Sequence, residues 1–137
     1  MKEVFATYYT KEKGKLEFTE EEWRDFKTSS VTLHRECGPA IIYSSGDQSY
    51  YLNGKLHRED GPAIIWHNGY QSYYINGKRH REDGPAIIYS NGHQEYFLNY
   101  KIYSKEDYYK KLEEIDNLPL SLKLIHNEEW VRERAKR

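Results

Sequence analysis

At 137 residues the chain is one domain's worth, with room for a modest core. Twenty-one Lys and Arg stand against 22 Asp and Glu, and no segment carries the charge excess of a phosphate-backbone binder, so nucleic acid is an unlikely partner. Fourteen tyrosines point to a core of rings rather than aliphatic chains, and the single cysteine, Cys37, excludes an internal disulfide and every multi-cysteine zinc site.

No signal-peptide core stands at the N-terminus and no apolar run is long enough to cross a bilayer, so a cytoplasmic protein with no membrane contact is expected. Val4–Tyr9, rich in β-branched and aromatic residues, predicts a strand, followed by a turn at Gly14 and a short strand at Lys15–Phe18. Thr19 lies three residues before Glu22, the spacing of a capping box, with Phe18 and Trp23 at the staple positions. Trp23 and Phe26 share a face of this short helix, which should end near Lys27–Ser30 and act as a lid on the end of the segment 33–101.

From Leu33 to Lys101 the chain says one thing three times: LHRECGPAIIYSSGDQSYYLNGK, LHREDGPAIIWHNGYQSYYINGK, RHREDGPAIIYSNGHQEYFLNYK. The numbers of His34, His57 and His80 place the copies 23 residues apart. A fixed period of that length signals units that stack and share a core. Each unit offers two hairpin turns. The first is Ser45-Gly46, Asn68-Gly69 and Asn91-Gly92; the second is Asn53-Gly54, Asn76-Gly77 and Asn99-Tyr100. The last has lost the glycine that favours positive φ, so the array should stop or bend there.

A two-residue loop at Asn68-Gly69 sets Ile64 opposite Tyr73 and Trp66 opposite Gln71. Side chains then alternate, and Ile64, Trp66, Gln71, Tyr73 and Ile75, with their equivalents, form a bulky face nearly identical from copy to copy, taken as the core. The opposite face varies. Asp47, Tyr70 and His93 share one slot, and His67 stands where the other copies have Ser44 and Ser90. Stacking constrains what must be the same, so Asp47, His67, Tyr70 and His93, with Tyr51, Tyr74 and Phe97 beside them, are the candidate binding residues. Within each H-R-E-D-G-P loop, the charged side chains are expected to satisfy backbone groups and pair with the next copy.

After Lys101 the period becomes helical. Ser104 caps at Asp107, Tyr103 and Tyr108 form the staple, and Tyr108, Leu112 and Ile115 make the apolar stripe. Pro119 ends that helix, Leu120–Ile125 reads as a second, and Asn127 as the cap of a third running to Arg137.

The repeated histidines do not make a metal site. Equivalent residues of a two-strand unit sit about 9–10 Å apart, while zinc needs ligand nitrogens within about 2.1 Å. His34, His57 and His80 should each make the same hydrogen bond in their own copy. Catalytic constellations occur once, whereas every Ser, His or carboxylate pair here belongs to the threefold pattern, so no enzyme and no cofactor is expected.

N-G-K-x-H followed by G-P-A-I-I-Y-x-x-G-x-x-x-Y-Y resembles the MORN-variant repeat. The H-R-E-D-G-P-A form is similar to arrays of bacteriophage, giant-virus and bacterial proteins. It departs from the ordinary MORN pattern by the Arg-Glu-Asp inserted between His and Gly, and lipid binding is not carried over. The resemblance implies a β-hairpin meander used for binding. The expected fold is therefore mainly β with flanking α. Residues 33–101 form a single-layer antiparallel meander of three 23-residue hairpins, between a strand–helix cap at 1–32 and a helical segment at 102–137. The expected function is occupation of a host or cellular protein's surface by the varied face, in the manner of a phage-encoded inhibitor of a defence protein. The alternatives are a nucleotide or small-molecule sponge using the aromatic face with Arg35, Arg58 or Arg81, and an assembly subunit; a homodimer is compatible with all three.

Overall fold

A computed structural model describes residues 3–137. Their centre is one nine-stranded antiparallel sheet, a succession of hairpins in chain order. The first hairpin is β1 (Ala6–Thr10) with β2 (Gly14–Phe18), and β1 also pairs with β3 (Ile41–Tyr43), so the N-terminal segment extends the sheet. The sheet continues through β4 (Gln48–Ser49), β7 (Ile64–Ile65), β8 (Gln71–Ser72), β11 (Ile87–Ile88), β12 (Gln94–Leu98) and β13 (Lys101–Tyr103). Its spatial order is β13-β12-β11-β8-β7-β4-β3-β1-β2. Two side hairpins leave the sheet, β5 (Tyr51–Leu52) with β6 (Lys55–Leu56) and β9 (Tyr74–Ile75) with β10 (Lys78–Arg79).

The side hairpins turn as their Asn-Gly pairs dictate. Asn53 and Gly54 both have positive φ, 52° and 79°, the two-residue type I′ geometry that matches strand twist. Asn99-Tyr100 was expected to abandon this geometry and does not: Tyr100 takes φ 66° and β13 still pairs with β12. The array ends one strand later, where the helix from Lys105 begins. A left-handed non-glycine residue costs roughly 1–2 kcal/mol, and Tyr100 is exposed. Tyr100→Gly is therefore expected to stabilise the chain by about 1 kcal/mol, read as a higher urea midpoint at unchanged m-value.

The main-sheet hairpins correct the predicted register. Trp66 N–H donates to Tyr70 O (2.9 Å), so the loop is His67-Asn68-Gly69, three residues long, with Gly69 at φ 96°. Tyr43 with Asp47 and Tyr89 with His93 close the same loop. This is the type I turn followed by a left-handed bulge residue, and the Asn68 and Asn91 side-chain oxygens accept from the N–H groups two residues on. One extra loop residue slides each strand by one position and exchanges its faces. Ile64 lies opposite Ser72 rather than Tyr73, and Ile65 opposite Gln71.

The front face consequently carries the register row Leu16, Tyr8, Ile41, Ser49, Ile64, Ser72, Ile87 and Glu95, and the back face Glu17, Thr7, Ile42, Gln48, Ile65, Gln71, Ile88 and Gln94. The invariant set predicted as one core face is thus split. Ile64 and Trp66 alternate onto the front with Tyr70 and Ser72, while Gln71 and Tyr73 fall on the back.

Helices cover opposite faces at opposite ends. α1 (Glu20–Asp25) starts at Thr19 with the full reciprocal capping box and is followed by a 3-10 turn at Thr28–Ser30. Its Trp23, with Phe26 just beyond, packs over the front among Phe5, Tyr8, Phe18 and Tyr43. At the other end α2 (Lys105–Asp116), α3 (Leu120–Leu124) and α4 (Glu129–Ala135) close on the back, where Tyr96 and Leu98 join Tyr108, Leu112, Ile115, Trp130 and Val131 in one buried cluster. Ser104 caps α2 as predicted, accepting from Asp107 N–H (3.1 Å). The cap of α4 is Glu128 rather than Asn127, and it makes no side-chain cap bond; its N–H is taken instead by His126 Nδ1 (3.0 Å).

Candidate binding face

The H-R-E-x-G-P loops make the scaffold rigid by repeating one pair of contacts. Asn53, Asn76 and Asn99 each donate a backbone N–H to Nδ1 of His34, His57 and His80, at 2.9 Å in all three cases. That fixes the imidazole tautomer, leaving Nε2–H for the glutamate two residues on: Glu36 at 3.7 Å, Glu59 at 3.6 Å, Glu82 at 2.9 Å. Arg35, Arg58 and Arg81 each donate to the carbonyl of Pro39, Pro62 and Pro85, and each guanidinium lies about 4 Å above the ring of Tyr9, Tyr50 or Tyr73. These arginines, the expected ligand groups of a sponge, are thus already engaged inside the scaffold. Among the described residues no group of three or more His, Cys, Asp or Glu could hold a metal ion, and no helix is long and apolar enough to cross a membrane.

The seven predicted binding residues meet different fates on the front. Tyr51 is half-buried against the Tyr8 cluster, and burial pushes its hydroxyl pKa up, with Tyr8 and Tyr74 adding to the shift. Phe97 is buried against Ile87. Tyr74 is half-buried and accepts from Arg79 Nε (3.2 Å). Asp47 takes both the backbone N–H of His67 (2.8 Å) and its ring Nδ1 (2.6 Å), which ties two loops together and holds its carboxyl below the usual range. His67 and His93 are exposed, and Tyr70 is half-buried.

The front also carries three residues outside the predicted binding set, two of them, Trp66 and Tyr89, brought there by the register change. Trp66, expected in the core, is 43% exposed and stacks on Tyr70 at 4.4 Å. Tyr70 meets Tyr89 edge-on at 5.7 Å, and Tyr89 meets His93 at 5.5 Å, so a continuous aromatic strip crosses from β7 to β12. Arg79 lies beside it, over the rings of Tyr74 (5.9 Å) and Phe97 (5.5 Å). A signal for Arg79 was present: the first two copies have Leu33 and Leu56 at that position. The N-terminal equivalent of this strip, Tyr43, lies against Trp23 of α1, whereas no helix among the described residues covers Trp66.

Compared with protein families, with curated proteins and with solved structures, the chain matches none.

Proposed function

We propose that the chain is a non-enzymatic binding protein of three 23-residue MORN-variant units, and that it occupies a partner protein's surface with the front of its sheet. The threefold recurrence of the His–Asn bond and of the Arg–Tyr stack supports the repeat reading. The observation that carries the function is the strip of Trp66, Tyr70 and Tyr89 beside Arg79, half open to solvent on a rigid strand surface. Tryptophan, tyrosine and arginine are the residues that dominate binding hot spots, because each brings a large contact area or several donors at low entropic cost. The H-R-E-D-G-P-A resemblance makes a host protein, and a defence protein in particular, the expected partner of a phage-encoded chain.

Affinity capture from a host lysate, with the wild type and a Trp66→Ala/Arg79→Glu variant as parallel baits, tests this. Truncating a hot spot costs ≥ 2 kcal/mol, or roughly a thirtyfold loss of affinity. The partner should therefore be present with the wild type and absent with the variant, at a closely similar melting temperature, since both side chains are exposed. A partner that stays with the variant would place the contact elsewhere.

A further inference from the structure

The third H-R-E-D loop is occupied and the second is not, although the two have the same sequence. At the third, the Trp130 ring sits 5.2 Å from His80, and Glu82 accepts from Arg134 (3.2 Å) and Arg137 (3.0 Å). At the second, His57 is held in the same orientation by Asn76, but Glu59 is 84% exposed and its one ion pair among the described residues is with His57. An open cleft separates this second loop from α4, with Tyr73 and Ile75 on its sheet side and Trp130 and Glu133 on its helical side. Successive loops stand about 9–10 Å apart, twice the strand spacing, and packed helices lie about 8–10 Å apart. A helix laid on the second loop would thus pack beside α4 at ordinary helix spacing.

We propose that this cleft seats a helix of a partner protein that carries an aromatic residue followed, four and seven positions on, by two arginines. The ring takes His57 as Trp130 takes His80, and the arginines take Glu59 as Arg134 and Arg137 take Glu82, while Asp60 stays with Arg58 at 3.1 Å. The chain's own α4, with the Arg137 that follows it, is the template for the contact, and the occupant carries arginines because Glu59, 84% exposed, stands where Glu82 accepts from two of them. The surface is on the back of the sheet, so this inference stands or falls apart from the front-face proposal.

The probe is a labelled peptide of residues 119–137, which carries Trp130, Arg134 and Arg137, titrated into the full chain and followed by fluorescence anisotropy. Saturable binding is expected, weakened about tenfold or more by Glu59→Lys. It should return when the peptide carries Arg134→Glu and Arg137→Glu. The exposure of Glu59 keeps the variant folded, which an unchanged melting curve checks. Binding indifferent to Glu59→Lys, or no saturation by about 1 mM, would overturn the proposal. So would a Glu59-dependent dimer of the chain alone on sizing, because the occupant would then be a second copy.

Discussion

Tyr108→Ala is expected to detach the C-terminal helices from the sheet and to cost about 3–5 kcal/mol, the range for emptying a buried aromatic site. Tyr108 has no exposed surface, and its ring lies 5.0 Å from that of Tyr96. Tyr9, Tyr50 and Tyr73 each carry an arginine from the H-R-E loop of a repeat; Tyr96 has no further copy to supply one, and Tyr108 covers it instead. The hydroxyl does a second job, donating to Arg81 O and accepting from Gly84 N–H (3.3 Å). Burial pushes its pKa up to about 12, so it remains a neutral donor at any working pH. Tyr108→Phe keeps the ring and strands those two backbone groups, at about 1–3 kcal/mol. Urea unfolding of the wild type and the two variants measures both losses. A Tyr108→Ala penalty below that of Tyr108→Phe would mean that the ring is not the anchor.

The local elements of this fold were legible because their signals are local. Thr19 with Glu22, Ser104 with Asp107, and the Asn-Gly pairs of the side hairpins each satisfy their backbone groups within four residues, and each forms where expected. The main-sheet register was not legible. Asn-Gly supports both a two-residue loop and a three-residue loop with a bulge, and the choice between them rests on the flanking strand pairing. Nor did the sequence reveal that Tyr9 would serve as a further arginine-stacking ring, since the residues around it share little with the copies beyond the aromatic pair.

The proposed binding face was half legible for the same reason. Variation between copies led to Asp47, Tyr70, Tyr74 and His93, which do share the front, because the slots compared were the same strand in every copy. The slid register changed the strand opposite, bringing in Trp66 and Tyr89. Long-range contacts left no trace of any period: Arg134 reaches Asp116 (2.8 Å) and Glu82 (3.2 Å), pairings that exist only once α4 has folded back. The cationic tail thereby has carboxylate partners of its own in place of phosphate.

That fold-back makes Glu82 a site of acid dependence. Burial alone would raise its carboxyl, but hydrogen bonds from His80 and Arg137, with the charge of Arg137, outweigh it and hold the pKa down to about 2, from an ordinary 4.5. A carboxyl whose folded pKa is depressed stabilises the fold fully above its unfolded value and loses that contribution as pH falls toward the folded one. The window is therefore pH 4.5 down to about 2. Glu82→Gln should cost about 2 kcal/mol at neutral pH, the scale of hydrogen bonds to a charged group. The gap between variant and wild type should then close as the wild type's own carboxyl is protonated. Asp116, which Arg134 also holds below its usual range, titrates in both proteins and cancels from the difference. Glu59→Gln, at the same place in the preceding loop but 84% exposed, should shift the urea midpoint little at any pH. Equal Glu82→Gln penalties at pH 7 and at the acid end of the window would show that the side chain acts by packing and not by charge.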